Sequence, residues 1–238
     1  MNTTLVVFIV VIFFAGFTQS LAGFGSALIS MAVLPQLLGI QTTAPMVALM
    51  AATIELVLLL HFRSALDVRA VWRLAVASIA GIPLGIYALR NFDERFILSV
   101  LGIVLMGYAL YALLSPKLPE LRHAAWAYGL GFLAGMLGGA YNTAGPPVIV
   151  YGDCRRWRPD EFKSNLQGFF LLNDALVILT HAASNNLTPL VWQNYLMALP
   201  VLGLGMWLGL RLDSRLNPVL FRKVVLSLLV VLGLRLVL

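Results

Sequence analysis

Two apolar stretches of this sequence contain polar residues at points where the backbone is unlikely to continue as a regular helix. They are Gly16–Pro35, GFTQSLAGFGSALISMAVLP, and Gly129–Gly152, GLGFLAGMLGGAYNTAGPPVIVYG. Glycine and proline weaken or break an α-helix. A helix whose N-terminus lies inside a membrane has free N–H groups at the positive end of its dipole, which favours an anion. The two stretches therefore predict a binding site for a small oxyanion.

Residues beside these interruptions offer neutral groups to such an anion. Hydroxyl and amide side chains add hydrogen-bond donors and avoid the cost of burying a full positive charge in a membrane. The alternative is close helix packing, which small residues four positions apart allow and which suits Gly131 and Gly135. The predicted site consists of Gln19, Ser20, Gly23, Gly25, Ser26, Gly138, Gly139, Asn142, Thr143 and Gly145.

Two carboxylates lie deep in apolar runs, Glu55 in AATIELVLLLHF and Asp174 in LLNDALVILTH. An acid inside a membrane is a candidate for function because ionising it there is expensive. Either residue, protonated at rest, could couple proton movement to substrate movement. The alternative is a hydrogen-bonded acid that locks two helices together. For Glu55 both interpretations stay open, whereas Asn173 beside Asp174 favours function at that position.

The segment that carries Asp174 begins with polar residues. Lys163, Asn165 and Gln167 are placed to line a cytoplasmic mouth of the predicted site. The histidines at the ends of two apolar segments, His61 and His181, are better explained as structural than as titrating groups. The predicted coupling and gating residues are therefore Glu55, Asn165, Gln167, Asn173 and Asp174.

The composition indicates which elements position these residues. The chain has 238 residues, of which 61% are hydrophobic and 11% charged, whereas soluble domains have about 25% charged residues. Apolar runs of about 20 residues predict an all-α polytopic membrane protein. The net charge of +6 then reflects the positive-inside bias and not nucleic-acid binding. The single Cys154 excludes an intrachain disulfide, and we expect no metal and no cofactor.

About ten apolar segments follow one another along the chain. Several are shorter than the roughly 20 residues that a full crossing needs, so the pairs at 4–38 and 124–152 are predicted to be broken or re-entrant helices. We predict the N-terminal segment to be the first of the ten and not a cleaved signal peptide, because no basic residue precedes it. The segments are 4–20, 24–38, 43–61, 71–89, 96–114, 124–139, 143–152, 163–183, 191–209 and 219–237.

Basic residues predict the orientation of these segments. With the N-terminus outside, only Arg90, Arg95 and Arg235 of the 16 Lys and Arg residues fall outside. This asymmetry places both termini on the periplasmic face of a bacterial inner membrane. The remaining basic residues, on the cytoplasmic side, are Arg63, Arg69, Arg73, Lys117, Arg122, Arg155, Arg156, Arg158, Lys163, Arg211, Arg215, Arg222 and Lys223.

The two halves of the chain, 1–118 and 119–238, resemble each other. Because each half has an odd number of segments, the second enters the membrane from the opposite face, which predicts two inverted repeats of five with a site near the midplane. The matching pairs are Gly16 with Gly131 and Gly23 with Gly138 at a spacing of 115, His61 with His181 at 120, and Gly81 with Gly205 and Gly85 with Gly209 at 124.

The first motif, AGFTQSLAGFGSALISMAVLP, followed by a GxxGG block with the sequence N-T-x-G-P-P, resembles the sulfite exporter TauE/SafE family of membrane permeases. The resemblance covers nearly the whole chain, although Ser26 and Ala27 stand where other members often have glycine. It implies export of sulfite, thiosulfate or sulfoacetate. It also implies substrate contacts at Phe24–Gly25–Ser26 and at Asn142–Thr143–Ala144–Gly145–Pro146.

We therefore predict a secondary transporter that exports small sulfur-containing anions by alternating access, with a proton as a candidate coupling ion. A passive channel for the same anions is the first alternative. An intramembrane enzyme or an assembly factor is the second, although the sequence contains no HExxH, GxSxG or P-loop motif. Both a monomer and a homodimer are compatible with the sequence.

Overall fold

The computed structural model of this chain describes residues 3–62, 66–114, 119–121, 123–212 and 218–238, and within these ranges the regular elements are α-helices. The basic residues Arg63, Lys117, Arg122 and Arg215 lie outside the described residues. The helices are α1 Thr3–Ala22, α2 Ser26–Val33, α3 Pro35–Leu38, α4 Ile40–Phe62, α5 Val68–Asn91, α6 Glu94–Leu114, α7 Ala125–Tyr141, α8 Gly145–Cys154, α9 Pro159–Ala183, α10 Pro189–Leu212 and α11 Pro218–Val237.

Six of these helices, α1, α4, α5, α6, α9 and α10, are long and apolar enough to cross a membrane. Large apolar side chains such as Leu60, Tyr87, Ile103 and Leu204 are more than half exposed on the outside, where lipid would cover them. The prediction of an all-α protein with several membrane-spanning helices is confirmed. The count of ten membrane segments and their inverted repeats stay predictions.

The second predicted segment, 24–38, is divided between α2 and α3. Pro35 is the first residue of α3 and has no N–H group with which to continue α2. Gly39, with a φ of 76°, ends α3 and turns the chain into α4. The short helices α2 and α3 together connect the two long helices α1 and α4.

Helix packing in this fold depends on glycines that bring two backbones together. α5 packs along α7, and α1 packs along α10. A Cβ on Gly85 would collide with the carbonyl oxygen of Met136, and a Cβ on Gly205 would collide with that of Phe13. Contacts of this kind, in which small residues let helices approach closely, are common between membrane helices. The same holds where α6 crosses α11, at Gly102 and Gly233.

The two predicted interruptions are present, each as a three-residue break. Between α1 and α2, Gly23 and Gly25 have φ values of 79° and 117°, which glycine adopts without steric cost. Between α7 and α8, Asn142 has a φ of 52°, in the left-handed region that asparagine tolerates. The residues that begin α2 and α8, Ser26 and Gly145, are 119 positions apart.

This spacing corrects two details of the sequence analysis. Gly138 and Gly139 lie inside α7 and do not interrupt it. The residue that occupies the position of Gly23 in the second break is Asn142, so the predicted spacing of 115 is four residues, or about one helical turn, too short. The physical reason is that glycines recur on the packing face of a helix at about every turn, and one of them can be taken for another.

Candidate functional site

A small cavity lies where the two breaks meet the crossing of α4 and α9. Its volume is about 30 Å³, which is enough for about two water molecules. The lining combines neutral polar groups, two carboxyl groups and apolar walls. The lining residues are Gln19, Phe24, Gly25, Ser26, Ala27, Leu28, Ala51, Glu55, Asn142, Thr143, Ala144, Gly145, Phe170 and Asp174.

The N-termini of α2 and α8 both form part of the cavity wall. The first N–H groups of a helix have no acceptor within the helix, and in α2 these include Ala27 and Leu28, which line the cavity. In α8 the residues after Gly145 are Pro146 and Pro147, which have no N–H group. α2 therefore offers more backbone donors than α8, while both helix dipoles favour negative charge at this point.

Gln19 connects the two sides of the first break. Its Oε1 atom accepts hydrogen bonds from the backbone N of Ser26 at 2.9 Å and from Ser26 Oγ at 2.8 Å. Both side chains are buried. The amide therefore caps the first turn of α2 and fixes its direction relative to α1.

The carboxyl groups of Glu55 on α4 and Asp174 on α9 lie side by side where these helices cross, within hydrogen-bonding reach of each other. Each residue is only 3% exposed. Asp174 Oδ2 accepts from Asn142 Nδ2 and Asp174 Oδ1 accepts from Asn173 Nδ2, both at 3.4 Å. The second break is thereby connected to the acid pair. Glu55 and Asp174 are 119 positions apart, which is the spacing of the two breaks.

Three buried oxygen atoms around the cavity have no hydrogen-bond partner. They are Glu55 Oε2, Asn142 Oδ1 and Thr143 Oγ1, and all three residues line the cavity. Buried polar atoms in folded proteins are nearly always hydrogen-bonded, and exceptions often mark the place of a water or an ion. Among the described residues, no Lys, Arg or His side chain lines this cavity, so helix N-termini and neutral side-chain donors are the groups in its wall that could stabilise an anion.

Ten of the predicted binding and coupling residues, Ala144 among them, line the cavity, and the structure places eight elsewhere. Ser20 Oγ donates to the carbonyl of Gly16 within α1, and Asn165 Oδ1 accepts from the backbone N of Asp67 just before α5. Gly138 faces the Asn173 side chain, and Gly139 faces the backbone of Ile82. The predicted residues outside the cavity wall are Ser20, Gly23, Gly138, Gly139, Pro146, Asn165, Gln167 and Asn173.

Gln167 contacts the break without lining the cavity. Its Nε2 atom donates to the carbonyl oxygen of Gly23 at 2.6 Å, and its Oε1 atom is buried without a partner. The side chain of Lys163, one turn earlier on α9, lies against Gly23. The start of α9 thus contacts the first break, as the predicted mouth requires. Whether these residues gate the site stays a prediction.

Sequence reasoning missed four of the lining residues. Leu28, Ala51 and Phe170 form apolar parts of the wall, and Ala27 lies at the start of α2 beside the first break. The sequence holds no signal for the first three, because they are indistinguishable from core residues. Ala27 is adjacent to the predicted Ser26, and that adjacency was the available signal.

Comparison with known proteins gives a consistent result. The family profile described as Sulfite exporter TauE/SafE matches residues 8–236. A Cupriavidus necator protein named "Probable sulfite/organosulfonate exporter TauE" is 28% identical over 226 residues, which cover 90% of this chain and 86% of that protein. No solved structure matches the chain significantly.

Proposed function

Because this chain belongs to the sulfite exporter TauE/SafE family, we propose that it exports a small sulfur-containing anion, such as sulfite, thiosulfate or sulfoacetate, from the cytoplasm. The members of this family are transporters and not enzymes, which confirms that part of the sequence analysis. The Cupriavidus necator protein is named for sulfite and organosulfonate, and we extend that substrate class to this chain. The proposal carried by the structure concerns where the anion binds.

The single observation that carries the proposed site is the meeting of two helix N-termini at one small polar cavity. The first residues of α2 and the first residue of α8 line the same space. Sulfur oxyanions are strong hydrogen-bond acceptors, and helix N-termini bind such groups without a buried basic side chain. In the proposed complex, the amides of Ala27 and Leu28 and the hydroxyl of Thr143 donate to the oxygens of the anion. The hydroxyl of Ser26 stays bonded to Gln19 Oε1.

The helix contacts support two inverted repeats, residues 1–118 and 119–238. In the proposed mechanism, these repeats move around the site in alternation. If α1, α2, α4, α5 and α6 correspond to α7, α8, α9, α10 and α11, the contact of α5 with α7 becomes that of α10 with α1. The contact of α5 with α9 likewise becomes that of α10 with α4, and both members of each pair are present. The contacts of α4 with α9 and of α6 with α11 map onto themselves. Such exchange is expected of a pseudo-two-fold transporter.

The proposed orientation places both termini on the periplasmic face of the bacterial inner membrane. An inside-negative potential of 100 mV favours the exit of a monovalent anion by about 2.3 kcal/mol. The field alone therefore suffices to drive export, whereas accumulation of the anion inside would need a coupling ion. This energetic argument and the family membership both favour export.

Filling the cavity tests the proposed binding site. Ala51 is buried in the wall, and Ala51→Leu should remove the space for the anion. We expect it to weaken the affinity for sulfite or thiosulfate by about tenfold, which corresponds to about 1.4 kcal/mol of binding free energy. Affinity is measured from the stabilisation of the protein against thermal unfolding at increasing anion concentration, and transport into proteoliposomes should fall with it. The matched control is Ala80→Leu, because Ala80 is exposed on α5, and this variant should behave as wild type.

A second variant covers the case in which Ala51→Leu does not fold. Thr143→Val keeps the shape of the side chain and removes its hydroxyl, so anion affinity should fall while the protein still folds. Wild-type anion binding in both variants would contradict the proposed site. Saturable flux that is stimulated by anion on the opposite side would distinguish a carrier from the passive channel, which remains the second candidate.

A further inference from the structure

The two adjacent carboxylates in the cavity would repel each other, and a bound anion would add to that repulsion. Glu55 and Asp174 are adjacent and almost fully buried, and the anion would bind in the same small space. Three negative charges at contact distance repel one another strongly in a poorly solvated site. Among the described residues no basic side chain lines the cavity to compensate them. A positive charge must therefore come from outside the chain.

The unpartnered oxygens indicate where such a charge would bind. Nine buried side-chain N or O atoms of the described residues have no partner, and three of them, on Glu55, Asn142 and Thr143, belong to the wall of this one cavity. A carboxylate oxygen, an amide carbonyl and a hydroxyl can all accept a hydrogen bond or coordinate a hard cation. The oxygens of Asp174 add to the same set. Glu55 Oε2 and Asn142 Oδ1 are acceptors that lack donors, and such groups call for a cation and not for a second anion; the Thr143 hydroxyl can accept the cation on its oxygen while its proton points to the anion.

The chemistry of this set favours a monovalent cation. Ca²⁺ takes six to eight oxygen ligands and Mg²⁺ demands octahedral geometry, whereas the four polar side chains of this set supply four ligands if each contributes one oxygen. Among the described residues there is no group of three His, Cys, Asp or Glu side chains that would suit a transition metal. In secondary transporters, sodium ions and protons bind beside unwound helices, and this acid pair likewise lies beside two helix breaks.

We propose that the cavity binds a monovalent cation, either a sodium ion or a proton, on the carboxyl groups of Glu55 and Asp174 together with Asn142 Oδ1 and Thr143 Oγ1. This inference rests on the proposed function, and it deepens it by naming the charge that neutralises the acid pair while the anion is bound. The cation neutralises the acid pair and lets the anion bind at the adjacent helix N-termini. By linkage, the anion raises the affinity for the cation by the same factor.

The acid pair is isolated from other titratable groups by the cavity wall. Among the described residues, Glu55 and Asp174 are the only titratable side chains that line it. Helices packed against the pair also bury Tyr141, Tyr151, Cys154 and His181, and they half-bury Arg73, Asp153, Glu161, Lys163 and Tyr195, but none of these nine residues lines the cavity. A dependence on sodium or on pH that disappears in variants of the pair is therefore attributable to the pair.

The test begins without any sulfur anion. Purified protein in sodium-free buffer is titrated with sodium chloride while its thermal unfolding is followed, and choline chloride is the salt control. In a parallel experiment, proton uptake by the protein is measured on acidification. We expect stabilisation by sodium, or proton uptake attributable to the pair, and loss of that response in Glu55→Gln and Asp174→Asn. The matched control is Glu120→Gln, because Glu120 is an exposed carboxyl group that does not line the cavity.

The second arm adds thiosulfate. Its affinity should rise with sodium concentration at fixed pH if the cation is sodium, or on acidification without sodium if it is a proton. Thr143→Val, which keeps both carboxyl groups, should weaken sodium binding by about tenfold, the effect of losing one neutral oxygen, and it serves if the acid variants do not fold. In the proton case Thr143→Val should shift the pH at which the pair takes up its proton.

Two results would overturn the cation site. One is wild-type protein that responds neither to sodium nor to pH, and the other is a response that survives unchanged in Glu55→Gln, Asp174→Asn and Thr143→Val. The anion-free arm separates the two proposals. A protein that binds the cation on the pair but binds no sulfur anion would refute the proposed function and leave the cation site standing.

Discussion

The contact between α1 and α10 gives a stringent test of the packing that positions the first break. Gly203 and Gly205 lie on the same helix, α10, only two residues apart. A Cβ on Gly203 would meet no atom within 4 Å, whereas a Cβ on Gly205 would collide with the carbonyl oxygen of Phe13 on α1. The same substitution, Gly→Ala, therefore has opposite expected effects at the two positions.

The magnitude follows from two opposing contributions. Alanine is favoured over glycine within a helix by about 0.8–1 kcal/mol, so Gly203→Ala should stabilise the protein by up to about that amount. Gly205→Ala gains the same helix propensity but overpacks a close contact against backbone, which costs about 1–3 kcal/mol. Because the propensity cancels between the two variants, Gly205→Ala should be about 1–3 kcal/mol less stable than Gly203→Ala.

The assay is unfolding by SDS in mixed micelles, followed by the fluorescence of tryptophan, since Trp192 and Trp207 lie on the same helix α10. The equivalent pair on α7 repeats the experiment, because Gly129 has open space around its Cβ position and Gly139 faces the carbonyl of Ile82. Gly203→Ala and Gly129→Ala are the respective controls. If Gly205→Ala and Gly139→Ala unfold at the same SDS concentration as these controls, the close contacts of Gly205 with Phe13 and of Gly139 with Ile82 are wrong.

Two further predictions follow from the breaks and from the charge pattern. Gly25 has a φ of 117°, so Gly25→Ala should destabilise the protein by about 1–3 kcal/mol through backbone strain and weaken anion binding, as measured by thermal unfolding with and without thiosulfate. The control is Gly107→Ala, because a Cβ on Gly107 meets open space, and equal stability of the two variants would contradict the backbone strain at Gly25. The proposed orientation predicts that Asn185→Cys reacts with a membrane-impermeant maleimide in intact cells, whereas Glu120→Cys reacts only after lysis. The reverse labelling pattern would show that the proposed orientation is wrong.

The sequence by itself determined the class of protein and the location of its two unusual segments. Dilute charge and long apolar runs leave few alternatives to a helical membrane protein, and glycine and proline located both breaks to within a few residues. It also identified Glu55 and Asp174, because an acid in an apolar run is costly and conspicuous. These signals are local, so they can be read without knowing which helices touch.

The tertiary structure decided which of these residues share a cavity. Gly138 and Gly139 look like helix breakers in sequence, but they serve packing inside α7. Ser20 was predicted to bind the anion and Asn165 to gate the site, yet Ser20 bonds to Gly16 and Asn165 bonds to Asp67. Phe170 and Ala51 became part of the wall only because α4 and α9 cross beside the breaks. Such contacts join residues far apart in the chain, and composition and spacing do not specify them.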